Sequence, residues 1–202
     1  MLENGAAQPL RAARIATRNP VGEGHELIVV AARIAAAALL TAVAAGMILH
    51  LVAAGWARNQ EPMTFAGLRD RNASEWLSLF AWNLRHLITP LAAAGLVLWR
   101  DPTLPRWARM LFGLFEVFVS LAICVEIASN IANIAIALAG YGTRTALWLA
   151  PHGPLELSAY ALALGVWAQA LRRKLGAGLA VRAGVLSVML LALAAAVEVA
   201  FR

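Results

Sequence analysis

The chain has 202 residues, of which 61% are hydrophobic and only 14% charged, and its mean hydropathy is +0.71. A soluble domain carries roughly 25% charged residues, so this composition excludes an ordinary water-soluble enzyme or binding module and requires lipid as part of the solvent. The net charge of +6 and pI near 11.0 do not point to nucleic acid: the basic residues stand singly or in threes between apolar runs, where arginine anchors helices at anionic headgroups.

Aromatic residues make up 7% of the chain while alanine dominates the apolar positions, a pattern of closely packed helices that excludes a β-barrel. Residues 1–24 are polar and Ala-rich, with Pro9, Pro20, Gly22 and Gly24, and read as an extramembrane arm; residues 25–202 read as one transmembrane helical bundle. A hydrocarbon core of about 30 Å takes about 20 helical residues, and about five apolar runs of that length follow. The first, 27–56, is interrupted only by Arg33 near one end, where its side chain can snorkel. It is too long for the core of a signal peptide and reads as a retained span.

A polar loop over 57–73 ends at Ser74, a plausible N-cap for the second span, 75–99. Pro102 and Pro105 stop that helix, and the third runs from about Trp107 to Ala139. It contains Cys124, the only cysteine, read as a small buried hydrophobe that can form no intramolecular disulfide. A loop over 140–151 leads to a fourth helix over 152–170, with Gly153 and Pro154 in its first turn. The basic cluster Arg172, Arg173 and Lys174 separates it from the fifth span, 179–201. Apart from Arg33 and Arg85, ten Lys and Arg residues fall on one side of this arrangement and five on the other. The positive-inside rule then predicts the N-terminus inside and the C-terminus outside.

An ionisable residue at the centre of a membrane helix costs about 2.5–3.5 kcal/mol, so such groups face a partner or a cavity. Glu126, Asn130 and Asn133 are spaced i, i+4 and i+7, and share a face of the third helix. His152 and Glu156 are one turn apart on the fourth, Glu198 lies near the end of the fifth, and Asn83, Arg85 and His86 lie on the second. The expected topology brings all of these to the outer half of the membrane, where one polar pocket accounts for them together. Each also has a structural reading: the amides as interhelical hydrogen-bonding groups, Arg85 as a snorkelling side chain, and the acids as neutral, protonated groups. Glu116, in the inner half, reads as a locally paired or protonated acid.

His152 and Glu156, with Glu198 or Glu126, also have the residue types of a zinc site, in which a remaining carboxylate, Glu126 or Glu198, would act as general base toward a bound water. The H-x-x-x-E spacing alone carries little information, and the metal-free polar network remains open beside it.

The stretch PHGPLELSAYALALG, from Pro151 to Gly165, resembles the signature of the stage II sporulation protein M family of bacterial multi-pass membrane proteins. WNL at 82–84, SNIAN at 129–133 and AAVEVAF around Glu198 extend the resemblance over helices two to five. The Ala-rich arm and the Arg-bearing second helix depart from it. The resemblance implies a bundle in the bacterial inner membrane that accompanies cell-wall hydrolases in engulfment, or circular bacteriocins in maturation or self-protection. Three functions follow as expectations: a zinc-dependent intramembrane peptidase or peptide-joining enzyme acting on a hydrophobic peptide, a non-catalytic scaffold holding other membrane subunits, and a proton-coupled permease. Small residues such as Gly176, Gly178 and Gly184 would permit a homo-oligomer.

Overall fold

The structure, a computed structural model, describes residues 20–59, 73–99 and 103–201. Six helices follow in order: α1 (Pro20–Asn59), α2 (Ala73–Trp99), α3 (Arg106–Tyr141), α4 (Thr143–Leu149), α5 (Gly153–Leu171) and α6 (Ala177–Phe201). The described residues contain no strand. Helices α1, α3 and α6 are long and apolar enough to cross a membrane. Large apolar side chains such as Leu51, Val52, Phe118, Leu121 and Met189 are exposed along them. An apolar surface that wide has no place in water, and the molecule is a helical membrane bundle.

The structure departs from the sequence expectation at four places. Helix α1 begins at Pro20, inside the expected arm, and continues to Asn59 through a break at Ala53, whose backbone is non-helical; the rest of the arm lies outside the described residues. Helix α2 starts at Ala73, so Ser74 lies in its first turn rather than before it. The connection expected as a loop over 140–151 contains the seven-residue α4. Cys124 is exposed, not buried: α3 packs mainly along α1, and its opposite side is left to the apolar surroundings.

Helix directions follow from the contacts. Gly46 of α1 meets Leu138 and Ala135 of α3, and His50 Nδ1 lies 2.8 Å from the Ala139 carbonyl, so α1 and α3 run parallel. A Cβ on Gly46 would come within 3.0 Å of Leu138 Cβ, and one on Gly140 within 3.2 Å of the Ala57 carbonyl. Both positions suit glycine because the two backbones approach each other there, the means by which helices bind where no hydrophobic effect separates them from lipid. Helices α2 and α5 also run parallel to each other and antiparallel to α6, with Leu87, Ala159, Ala163 and Leu191 forming a shared buried layer. A second layer, including Leu27, Ala94, Val166 and Ala170, ties α1 to α2 and α5 toward the opposite end.

The helix ends show how the chain turns. Gly142, at φ +56°, closes α3 and donates its N–H to the Leu138 carbonyl at 2.8 Å; glycine takes this conformation without the Cβ penalty. Thr145 Oγ1 then donates to the buried Ala137 carbonyl at 2.9 Å and holds α4 against the end of α3. Thr145→Val is expected to cost about 1 kcal/mol, the net value of one such bond, measurable as a lowered midpoint of unfolding in mixed micelles. Helix α5 ends in a Schellman turn: Lys174 N–H bonds the Gln169 carbonyl, Arg173 N–H bonds that of Ala170, and Arg173 adopts φ +55°. Inside α2, Pro90 lacks the N–H that would bond the His86 carbonyl, so one ladder bond is missing immediately below the polar residues of that helix.

Candidate functional site: a polar network across four helices

The network begins on α2, where Trp82, Arg85 and His86 are spaced i, i+3 and i+4 on one face. The Arg85 guanidinium carbon lies 3.3 Å from the centre of the Trp82 ring, in cation–π geometry. Both residues are exposed, and they form the outer edge of the site. Arg85 Nε donates to His86 Nε2 at 3.1 Å. A nitrogen that accepts carries no proton, so the neutral imidazole has its hydrogen on Nδ1, and that N–H donates to Glu126 Oε1 of α3. Arginine, histidine and glutamate thus form a chain across the α2–α3 contact, with 17% of the His86 side chain and 27% of the Glu126 side chain accessible.

The adjoining part of the network is deeper. Asn83 Nδ2 donates to Glu156 Oε1 of α5 at 2.6 Å, and Tyr160 OH, one turn further along α5, donates to the Asn83 backbone carbonyl at 3.4 Å. The Tyr160 and His86 rings meet edge-on, with centroids 6.4 Å apart and planes at 78°. That contact joins the two parts of the network across α2. Glu156 is held in the first turn of α5, whose start is set by Pro154 and by the N–H groups of Leu155 and Glu156, both bonded to the His152 carbonyl. His152 and Glu198 are 4% and 5% exposed. Glu198, from α6, lies in the neighbourhood of Glu156.

The structure therefore gathers Asn83, Arg85, His86, Glu126 and Glu156 through contacts, with Glu198 in the neighbourhood of Glu156, on four helices. Asn130 and Asn133 remain exposed on α3. They share a face with Glu126, but α2 and α3 touch only lightly, so that face opens outward beyond Glu126. Tyr160 was not among the expected site residues; its signal was the spacing, since His152, Glu156 and Tyr160 recur every four residues on one face of α5. Among the described residues, no group of three or more His, Cys, Asp or Glu side chains is disposed to hold a metal ion; of the set expected for zinc, Glu156 is engaged by Asn83, and His152 and Glu198 are buried in the bundle.

What this arrangement can do chemically is hold a polar or hydrogen-bonding group within an otherwise apolar bundle. Its components include carboxylates, a neutral histidine, a tyrosine hydroxyl and an amide, with one cation at the rim. No protein-family model matches the chain, and neither a curated protein nor a solved structure matches it.

Proposed function

We propose that the chain is a multi-pass protein of a bacterial inner membrane, related to the stage II sporulation protein M family. In this reading it crosses the bilayer about five times, with its N-terminus inside and its C-terminus outside, and its outer-half polar network receives the polar groups of a hydrophobic peptide. One observation supports the reading above the others: three of the four segments that carry the family resemblance supply Asn83, Glu156 and Glu198, and these residues come together although they are far apart in the chain. Tight packing alone does not require three separate motifs to bring amide and carboxylate groups to one place.

A peptide is the substrate class that suits the site. Its backbone N–H and C=O groups must find partners in lipid, and the network offers carboxylate and hydroxyl oxygens for the former and Arg85 and Asn83 donors for the latter. The exposed Trp82 and Arg85 pair provides an edge through which a membrane-embedded chain can approach from the side.

The test is a chromosomal Glu156→Gln variant in the native host, with peptides of the membrane fraction quantified by mass spectrometry. Glutamine keeps an acceptor for Asn83 but removes the acid. At an unchanged level of the protein, one hydrophobic peptide or its precursor is expected to change in abundance by about tenfold or more, the effect of about 1.4 kcal/mol in binding. An unaltered peptide profile at normal protein level would overturn the reading. The near-complete burial of His152 and Glu198 favours a second reading, a scaffold in which the network only fixes helix packing; it predicts instead a fall in the amount of assembled protein with no peptide affected.

A further inference from the structure

A groove of about 430 Å³ lies between α2 and α6 at the end of the bundle away from the polar network. Leu91, Gly95 and Trp99 of α2 form one wall, Gly184 and Val188 of α6 the other, and Val166 of α5 the floor. The lining is almost entirely apolar, and glycines on both walls keep it open. A Cβ on Gly95 would meet nothing within 4 Å.

Two measurements identify an occupant. The first is length: on α6 the groove extends from Ala177 to Met189, and twelve residue steps of helix span roughly 18 Å. One leaflet of a bilayer with a hydrocarbon core of about 30 Å is about 15 Å deep, so the groove has the depth of a single acyl chain. The second is charge. The groove begins at the α5–α6 turn, which carries Arg172, Arg173 and Lys174, and Arg182 is exposed on the next turn beside the lining residue Val181. Two acids at this end are already engaged: Glu26 accepts from Lys174 Nζ at 2.8 Å and Glu23 from the Gly176 N–H at 3.0 Å. The end keeps an excess of positive charge at the level where Trp99, 80% exposed, marks an interface.

We propose that this groove is a binding site for one anionic phospholipid, with an acyl chain lying between α2 and α6 and the phosphate paired with Arg182 in the field of the neighbouring basic turn. The site is separate from the polar network and does not rest on the function proposed for it. A neutral lipid would fill the groove without using the charge. A second copy of the chain would leave a basic rim facing an identical basic rim.

The test is lipid titration of the full-length protein in detergent, read by native mass spectrometry with phosphatidylglycerol and phosphatidylcholine of the same chain length. The protein is expected to bind phosphatidylglycerol more tightly. Arg182→Gln, on an exposed helix face, should lower that affinity about fivefold, the value of one basic residue near an anionic headgroup, and leave phosphatidylcholine unchanged. Gly95→Leu, whose side chain enters the groove, should lower binding of both. Equal affinity for the two lipids, or phosphatidylglycerol binding indifferent to both variants, would overturn the proposal. So would a dimer that Gly95→Leu dissociates while lipid binding persists.

Discussion

Gly46→Leu is expected to lose about 3 kcal/mol of stability, the upper end of the range for overpacking a tight contact. The α1–α3 interface is the most extensive in the bundle, and Gly46 lies where it is tightest. Even the first carbon of a new side chain would come within 3.0 Å of Leu138 Cβ and 3.2 Å of the Ala135 carbonyl. The second of these is backbone, which moves only with its helix. Leucine therefore separates α1 from α3 and loosens the contact of His50 with the Ala139 carbonyl. Gly46→Ala should cost less, about 1 kcal/mol. Gly55→Leu is the control on the same helix, since a Cβ there would meet nothing within 4 Å, and it should be close to neutral. Denaturation in mixed micelles, followed by the loss of helical signal, measures all three; a Gly46→Leu protein as stable as the Gly55→Leu control would refute this account of the interface.

The second large effect concerns the Asn83–Glu156 bond between α2 and α5. Glu156→Leu removes the acceptor and leaves the half-buried Asn83 amide without it, at an expected cost of about 1–2 kcal/mol. The range is narrow because hydrogen bonds between membrane helices average about 0.6 kcal/mol and reach about 1.7 kcal/mol, and an unsatisfied donor adds its own penalty. Glu156→Gln keeps the acceptor and should cost less than about 0.5 kcal/mol, which is why it isolates the role of the acid. Asn83→Leu combined with Glu156→Leu removes both partners, and the loss should fall short of the sum of the single variants by about 1 kcal/mol. Strict additivity would mean that the 2.6 Å contact contributes nothing measurable.

Much of the fold was legible because lipid imposes a simple rule: long apolar runs become helices, and the prolines at 102, 105 and 151 fall between them. Five of the six helices were expected within a few residues of their observed ends, apart from the longer start of α1. Helix α4 was not, because seven residues, Thr143–Leu149, form too short a segment for periodicity to reveal. The site was legible as a set of expensive residues at related depths, since polar groups are costly wherever the helices sit. Their pairing was not, because it depends on the rotation of each helix about its own axis. Spacing placed Asn130 and Asn133 on the face of Glu126, but only the loose contact of α2 with α3 determines that they stay exposed. Cys124 illustrates the same limit: an apolar neighbourhood in sequence signifies burial in water-soluble proteins, whereas in this bundle it is equally the mark of a surface turned toward lipid.

Pro90 lies at the boundary between two chemically different parts of α2. Above it the helix carries Trp82, Asn83, Arg85 and His86; below it the helix contributes Leu91, Gly95 and Trp99 to the groove. The ladder bond to the His86 carbonyl is missing at the joint, yet both parts stay seated on α5 and α6, the upper through Leu87 and the lower through Ala94. One packed helix thus borders the polar network at one end and the apolar groove at the other.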